Sequence, residues 1–476
     1  MKKIIFLTFV LSMIILNSCS ESFLEKDPPL AVSEKDILAE SSRIESNLLG
    51  LYASLKSNGL LSGKMMVAFD NRGEDFINVG NNLVTLTAVY RMSTNDADNE
   101  NATFWSTAYR AINNANTFIE IVEGAREKLG NDRVNLNIVE AKYVRSVAFY
   151  YLCMMYAKQP YSINPAGKAV PLRLKAEKDN TGQDMPASTI EQVYAQILDD
   201  LSDANINLLP SATATYNAVT KASKGAALMM RMRVKMAMNN WDGAIADGNA
   251  ISGYSLTPTV KAAFSSPFFT SENIFSYPMA ANNVPGTQAS AVEYYYGSPV
   301  IMIFNLDPPG ILSDPAYSQE KDARIATLTT VNKDHQRQLI KFPTTAKTDW
   351  IPQFRYAETL LNLAECYAAK GGAAESDAKK FLKQVRRRSI AEADDILKDD
   401  AIDALTGDAL KMAIYKERRL EFAGEGMRGC DIVRRGETFP EKGKGADNVP
   451  AIPPTSGSYV WPYPAVETNY NKALTN

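Results

Sequence analysis

At 476 residues, with 45 % hydrophobic and 22 % charged residues, the chain has the composition of a folded protein and the length for two domains or one extended layered array. Lys and Arg total 51 against 54 Asp and Glu, a formal charge of −3, so no basic excess exists to neutralise phosphates and no nucleic-acid partner is expected. A lone histidine, His335, excludes any site needing two imidazoles, and four cysteines without a CxxC spacing indicate neither a metal site nor a disulfide framework.

From the N-terminus, Lys2 and Lys3 precede an apolar run from Ile4 to Leu16. Thirteen such residues span roughly 20 Å as a helix, short of the ~30 Å hydrocarbon core, which marks a secretory signal and not a membrane span. Leu16-Asn17-Ser18-Cys19 resembles a bacterial lipobox, which implies removal of residues 1–18 and acylation of the Cys19 thiol. Two or more acyl chains hold a protein stably on a bilayer, where one does not. Ser20-Glu21 resembles the acidic export signal of surface lipoproteins in Bacteroidota, and the charged, proline-containing stretch to Pro29 reads as a tether over 19–33. Loss of Lys2 and Lys3 leaves 49 basic against 54 acidic residues, or −5.

Residues 34–476 read as one domain. Helical repeats are expected over about 34–253 and 352–436, a loop-rich insert over about 254–350, and an irregular segment over 437–476. Within 138–158, Val144, Val147, Ala148, Tyr151, Leu152 and Met155 repeat at helical spacing, the pattern of a buried helix face. Ser188 with Glu191 three residues on reads as a capping box ahead of the stripe Ile190, Val193, Tyr194, Ile197 and Leu201. Residues 220–251 and 355–388 each place alanine-rich helices around a short polar turn, at Asn239-Asn240 and at Gly371-Gly372. Units of roughly 34 residues with small-residue packing match a tetratricopeptide-type hairpin, so the fold class is mainly α, an α/α superhelical array with a loop-rich, irregular ligand-binding face. Cys153, Cys366, Trp105 and Trp241 fall inside helical patterns and are assigned to the core, Trp461 to a packed closing segment, and His335 to an exposed turn.

Residues 59–104 and 254–350 do not fit the array, and long non-repeating loops in a compact domain usually carry function. Near the C-terminus, in "DALKMAIYKERRLEFAGEGMRG", the apolar stripe Leu410, Ala413, Ile414, Leu420 puts Glu417 and Glu421 on or beside the inward face, with Gly424 as a stop. Two readings are open. Carboxylates at i, i+4 sit at about the separation a retaining glycosidase uses. Against that, inward acids need partners, Arg428, Arg434 and Arg435 follow the turn, and a paired carboxylate has its pKa lowered, the wrong direction for a general acid. A buried ionic lock fits better.

"ERRLEFAGEGMRGCDIVRRGE" resembles the C-terminal signature of the SusD/RagB family, nutrient-binding outer-membrane lipoproteins of Bacteroidota. "FWSTAYRAINNANTFIE", "EAKYVRSVAFYYLCMMYAKQPY" with its later Val-Pro-Leu, "RYAETLLNLAECYA" and "WPYPAVETNYNKALTN" follow in the family's order. Pro160-Tyr161 stands in place of a Gly-Asp-Val-Pro turn, and Asp314-Pro315-Ala316 lacks the usual Arg. The resemblance implies a non-catalytic, cofactor-free protein, lipid-anchored through Cys19 at the outer-membrane surface. Such a protein caps a SusC-like TonB-dependent barrel and delivers oligosaccharides or, in RagB-like members, peptides. An adaptor of tetratricopeptide type that binds only proteins is the alternative. Sugar rings stack on aromatic faces and their hydroxyls take Asn, Asp and Arg. The expected ligand residues are therefore Tyr294, Tyr295 and Tyr296, read as an extended run with alternating faces, then Trp350, Tyr90, and the polar set Asn71, Arg72, Glu74 and Asp75.

Overall fold

A computed structural model describes residues 41–78, 86–179, 184–284, 292–296, 302–304, 310–332, 335–344, 346–443 and 448–475. The signal segment 1–18, Cys19 and the tether 19–33 lie outside the described residues. The chain divides into residues 1–47 and 48–476. In the first, the described part opens a helix, α1 (Ser41–Lys56), that runs on into the second.

Ten further helices of eight or more residues lie among the described residues. They are α2 (Lys64–Asn71), α3 (Asn99–Gly124), α4 (Asn131–Tyr156), α5 (Ile190–Asp200), α6 (Lys224–Ala237), α7 (Trp241–Ala250), α8 (Tyr356–Lys370), α9 (Glu375–Ser389), α10 (Gly407–Glu421) and α11 (Arg428–Arg435). Neighbours in sequence pack as antiparallel-type hairpins, α3 with α4, α6 with α7 and α8 with α9, and α7 against α8 joins one hairpin to the next across the insert. The array expected from the repeats is the observed architecture.

Local chemistry explains the turns. Asn239 takes φ 58°, a left-handed conformation that Asn tolerates, and Asn240 caps α7 by accepting from Gly243 N at 3.0 Å. Between α8 and α9, Gly371 and Gly372 both have positive φ. The capping box ahead of α5 is shifted by one residue from the expected Ser188–Glu191. Thr189 Oγ1 accepts from Gln192 N and Gln192 Oε1 accepts from Thr189 N. Ser188 is unavailable because its backbone pairs with Ala169 and Val170.

The central helix α4 is buried nearly all round, so the stripe of six residues from Val144 to Met155 understated its burial. In the C-terminal half, Leu360, Leu361 and Ala364 of α8, Leu382 and Val385 of α9, and Leu410 and Ile414 of α10 share one core. Each buried leucine there contributes about 1.5–3 kcal/mol. Trp105 and Trp461 are buried, whereas Trp241 is half-buried because it opens α7 directly after the turn.

The insert is one excursion closed at its base. Strand β2 (Asn273–Tyr277) pairs antiparallel with β6 (Ile351–Arg355), the strand that leads into α8. Within the excursion β4 (Thr329–Val331) pairs with β5 (Arg337–Leu339). The 59–104 region, expected to be irregular, carries α2, a short helix Thr87–Tyr90 and β1 (Phe76–Asn78). That strand pairs antiparallel with β3 (Met302–Phe304) in the insert, Phe76 opposite Phe304. Two loop regions far apart in sequence thus meet on one face.

Candidate ligand-binding face

The inward acids of α10 are completely buried and paired with arginines. Glu417 accepts from Arg386 Nη1 at 2.9 Å and from Arg324; Glu421 accepts from Arg355 Nη1 at 3.0 Å, from Arg388 and from Arg324. Burial alone would raise the Glu421 carboxyl, but Arg388, Arg355 and Arg324 hold it well below the usual carboxylate range. Such a group has no proton to give. The partners differ from those the sequence suggested. Arg428 goes to Glu74, Arg434 to Glu365 and Asp431, and Arg435 to Glu437, while the acids of α10 reach across to Arg324 and to α9. The turn after α10 then needs Gly424, at φ +84° with Leu339 Cδ2 2.1 Å from where a Cβ would stand.

The polar set expected in a solvated loop is internal. Asn71, Arg72, Glu74 and Asp75 are all at most 2 % exposed. Asn71 Nδ2 donates to Leu86 O at 3.2 Å, and the Arg72 guanidinium lies 4.7 Å from the Phe439 ring centroid and donates to Tyr459 O. Asp75 binds Arg419 and accepts from Ile311 N at 2.7 Å. Glu74 is held at about 2 because Arg428 and Arg419 outweigh its burial. Just before them, Asp70 accepts from Gly426 N at 2.9 Å and from Tyr296 Oη at 3.1 Å, and burial pushes it up to about 6. These residues face inward because the C-terminal signature supplies the cations and amides that a buried loop requires. Tyr90 is buried too, with Lys442 Nζ 4.7 Å from its ring centroid.

The tyrosine run is a short helix, Val292–Tyr296, and not extended, so its faces do not alternate. Tyr295 and Tyr296 are buried, and Tyr294 is half-buried with its ring edge-on to Tyr295 at 5.6 Å. Of the three, Tyr294 alone presents appreciable surface.

A partly exposed ring cluster surrounds Trp350. Phe268 stacks on the indole at 5.8 Å with an interplanar angle of 18°, Phe269 lies tilted at 6.0 Å, and Tyr216 meets it edge-on at 5.3 Å. Trp350 is 9 % exposed, Phe268 and Phe269 are half-buried, and Tyr216 is 50 % exposed. The indole N–H makes no hydrogen bond among the described residues. Asp349, next in sequence, is locked by Thr344, accepting from its N and Oγ1 at 2.7 Å each. The charges of Asp349 and Lys347 are felt at the Glu293 carboxyl, which sets the start of the Tyr294 helix beside the Trp350 segment. Of the expected set, Trp350 and Tyr294 retain surface, and the polar set and Tyr90 are placed in the interior. Tyr216, Phe268 and Phe269 were missed. "SSPFFT", two adjacent phenylalanines after a proline in an aperiodic stretch, was the available signal.

Stacked and edge-on rings at a surface offer apolar faces to a flat, C–H-rich ligand. They supply no nucleophile, and no group of three or more His, Cys, Asp or Glu able to hold a metal occurs among the described residues. No helix among them is long and apolar enough to cross a membrane.

The comparisons with known proteins agree with this architecture. A family model described as "SusD family" matches residues 314–476, and one described as "Starch-binding associating with outer membrane" matches residues 22–236. SusD-like protein P25 of Formosa agariphila is 24 % identical over 488 residues, covering 88 % of this chain and 87 % of its own. The surface glycan-binding protein A of Bacteroides uniformis shares the fold at a TM-score of 0.70 and 19 % identity, over 92 % of this chain and 99 % of that one. The crystal structure of a SusD superfamily protein from Bacteroides fragilis superposes with a TM-score of 0.86 at 46 % identity, over 93 % of this chain and 100 % of that one. The chain belongs to the SusD family of non-catalytic binding proteins.

Proposed function

We propose that the protein is a surface lipoprotein that captures oligosaccharides and passes them to a SusC-like TonB-dependent barrel in the outer membrane. Residues 1–18 would be removed, Cys19 acylated, and residues 19–33 would tether the single domain that follows. The family description of starch binding at the outer membrane and the glycan-binding relative support this reading. The observation that carries it is the Trp350 cluster, rings of graded exposure held on a fixed helical scaffold with an unpartnered indole N–H. Sugar C–H faces stack on such rings while the N–H takes a hydroxyl.

Calorimetric titration of Tyr216→Ala and Tyr294→Ala against an oligosaccharide that binds the parent tests it. At least one variant loses more than tenfold in affinity, about 1.4 kcal/mol, with an unchanged fold. Parental affinity in both variants and in Trp350→Phe rules out this face.

A further inference from the structure

Resting on the glycan-binding reading, we infer that this face selects uncharged oligosaccharides and rejects those bearing uronate or sulfate groups. Between Lys261 and Lys321 the sequence runs 59 residues without a single Lys, Arg or His, where the chain's average composition would place about six. The same stretch holds five acids, Glu272, Glu293, Asp307, Asp314 and Glu320; Glu272 is paired with Arg355 and Arg388, Asp314 with Lys416 and Glu320 with Arg337, and Glu293 has no ion pair among the described residues. Residues 73–90 are likewise free of basic residues, and their Glu74 and Asp75 are buried on Arg419 and Arg428. Pairing of β1 with β3 joins these two stretches on one face, and Phe268, Phe269 and Tyr294 all belong to the longer one.

Recognition of carboxylate or sulfate draws heavily on Arg and Lys, because a cationic donor offsets the cost of stripping water from the anion. At the Glu293 carboxyl Lys347 is the one cation whose charge is felt, and Asp349 opposes it. Glu293 is half-buried, and its Oε1 is buried without a hydrogen-bond partner among the described residues, so its charge is weakly screened and repels a ligand anion nearby. Burial, with Asp349 adding to it and Lys347 opposing, pushes this carboxyl up to about 7. Its charge, and with it the rejection of anions, therefore grows between pH 6 and 8.

The test is calorimetric titration of the purified full chain with six-unit neutral gluco-, manno- and xylo-oligosaccharides, oligogalacturonate and a sulfated galactan oligosaccharide. The expected result is binding of at least one neutral series, with both anionic ligands at least tenfold weaker. That gap should widen from pH 6 to pH 8 in the parent and stay flat in Glu293→Gln. An anionic ligand that binds as tightly as the best neutral one overturns the inference and leaves the glycan-binding reading standing. A flat pH profile in the parent overturns the role of Glu293. Absence of binding to every oligosaccharide by a protein with a cooperative melt overturns the reading and this inference with it.

Discussion

Replacing Glu421 by Gln keeps the shape of the side chain and removes one charge from a closed network. Seven acids, Glu272, Asp322, Asp395, Asp399, Glu417, Glu421 and Glu425, face six bases, Arg324, Lys341, Arg355, Arg386, Arg387 and Arg388. The variant takes one carboxylate charge away from Arg324, Arg355 and Arg388. Breaking a buried pair from one side costs about 3–5 kcal/mol. Each arginine on Glu421 keeps another acid, Asp322 and Glu417 for Arg324 and Glu272 for Arg355 and Arg388, so the lower end, about 3 kcal/mol, applies here. At ~2.1 cal/mol/K per residue over the roughly 430 residues of the main unit, the unfolding entropy is about 0.9 kcal/mol/K, so the melt falls by only about 3 °C. Scanning calorimetry at neutral pH resolves that. The pH dependence gives a second handle. The folded pKa of Glu421 is depressed, so its contribution is fully present above the unfolded glutamate value of about 4.3 and is lost as pH falls below it. The gap between parent and Glu421→Gln should shrink on acidification. A variant that melts with the parent but no longer binds ligand would refute the lock and return Glu421 to the binding chemistry.

Three further outcomes are expected. Gly424→Ala should destabilise by more than the ~1–2 kcal/mol of a left-handed alanine, since the new Cβ strikes Leu339; a melt within 1 °C of the parent contradicts this. Asp70, raised to about 6, costs stability above that pH and relaxes as pH falls toward its unfolded value, so the parent should gain on Asp70→Asn between pH 7 and pH 5, read by denaturant titration. Cys19→Ala should move the protein from the membrane to the soluble fraction, checked in cells lacking the barrel partner; retention there contradicts the lipid anchor.

The helical array was legible because its signals are local and repeat. Alanine-rich hairpins, Asn and Gly turns and the stripes of α5 and α10 each follow from spacing alone, and the Ser188 cap was off by one because a non-local backbone pair occupies that residue. The inward Glu417 and Glu421 were legible for the same reason. Their partners were not, since Arg324, Arg355, Arg386 and Arg388 come from segments whose approach is tertiary. The ligand face was the least legible. Asn71, Arg72, Glu74 and Asp75 look solvated in sequence, yet Arg419, Arg428 and Gly426, some 350 residues on, turn the Asp70–Asp75 segment inward. Tyr216 joins Phe268 and Trp350 across a separation that no periodicity encodes.

The most direct test of the binding account is a crystal structure of the protein with an oligosaccharide that it retains in solution. The account predicts a sugar ring stacked on Tyr216, Phe268 or Trp350, with Tyr294 within reach of the same chain. Density seated instead in the ~460 Å³ cavity between the 203–212 segment, Lys224 and Arg231, on the helical scaffold, would contradict it.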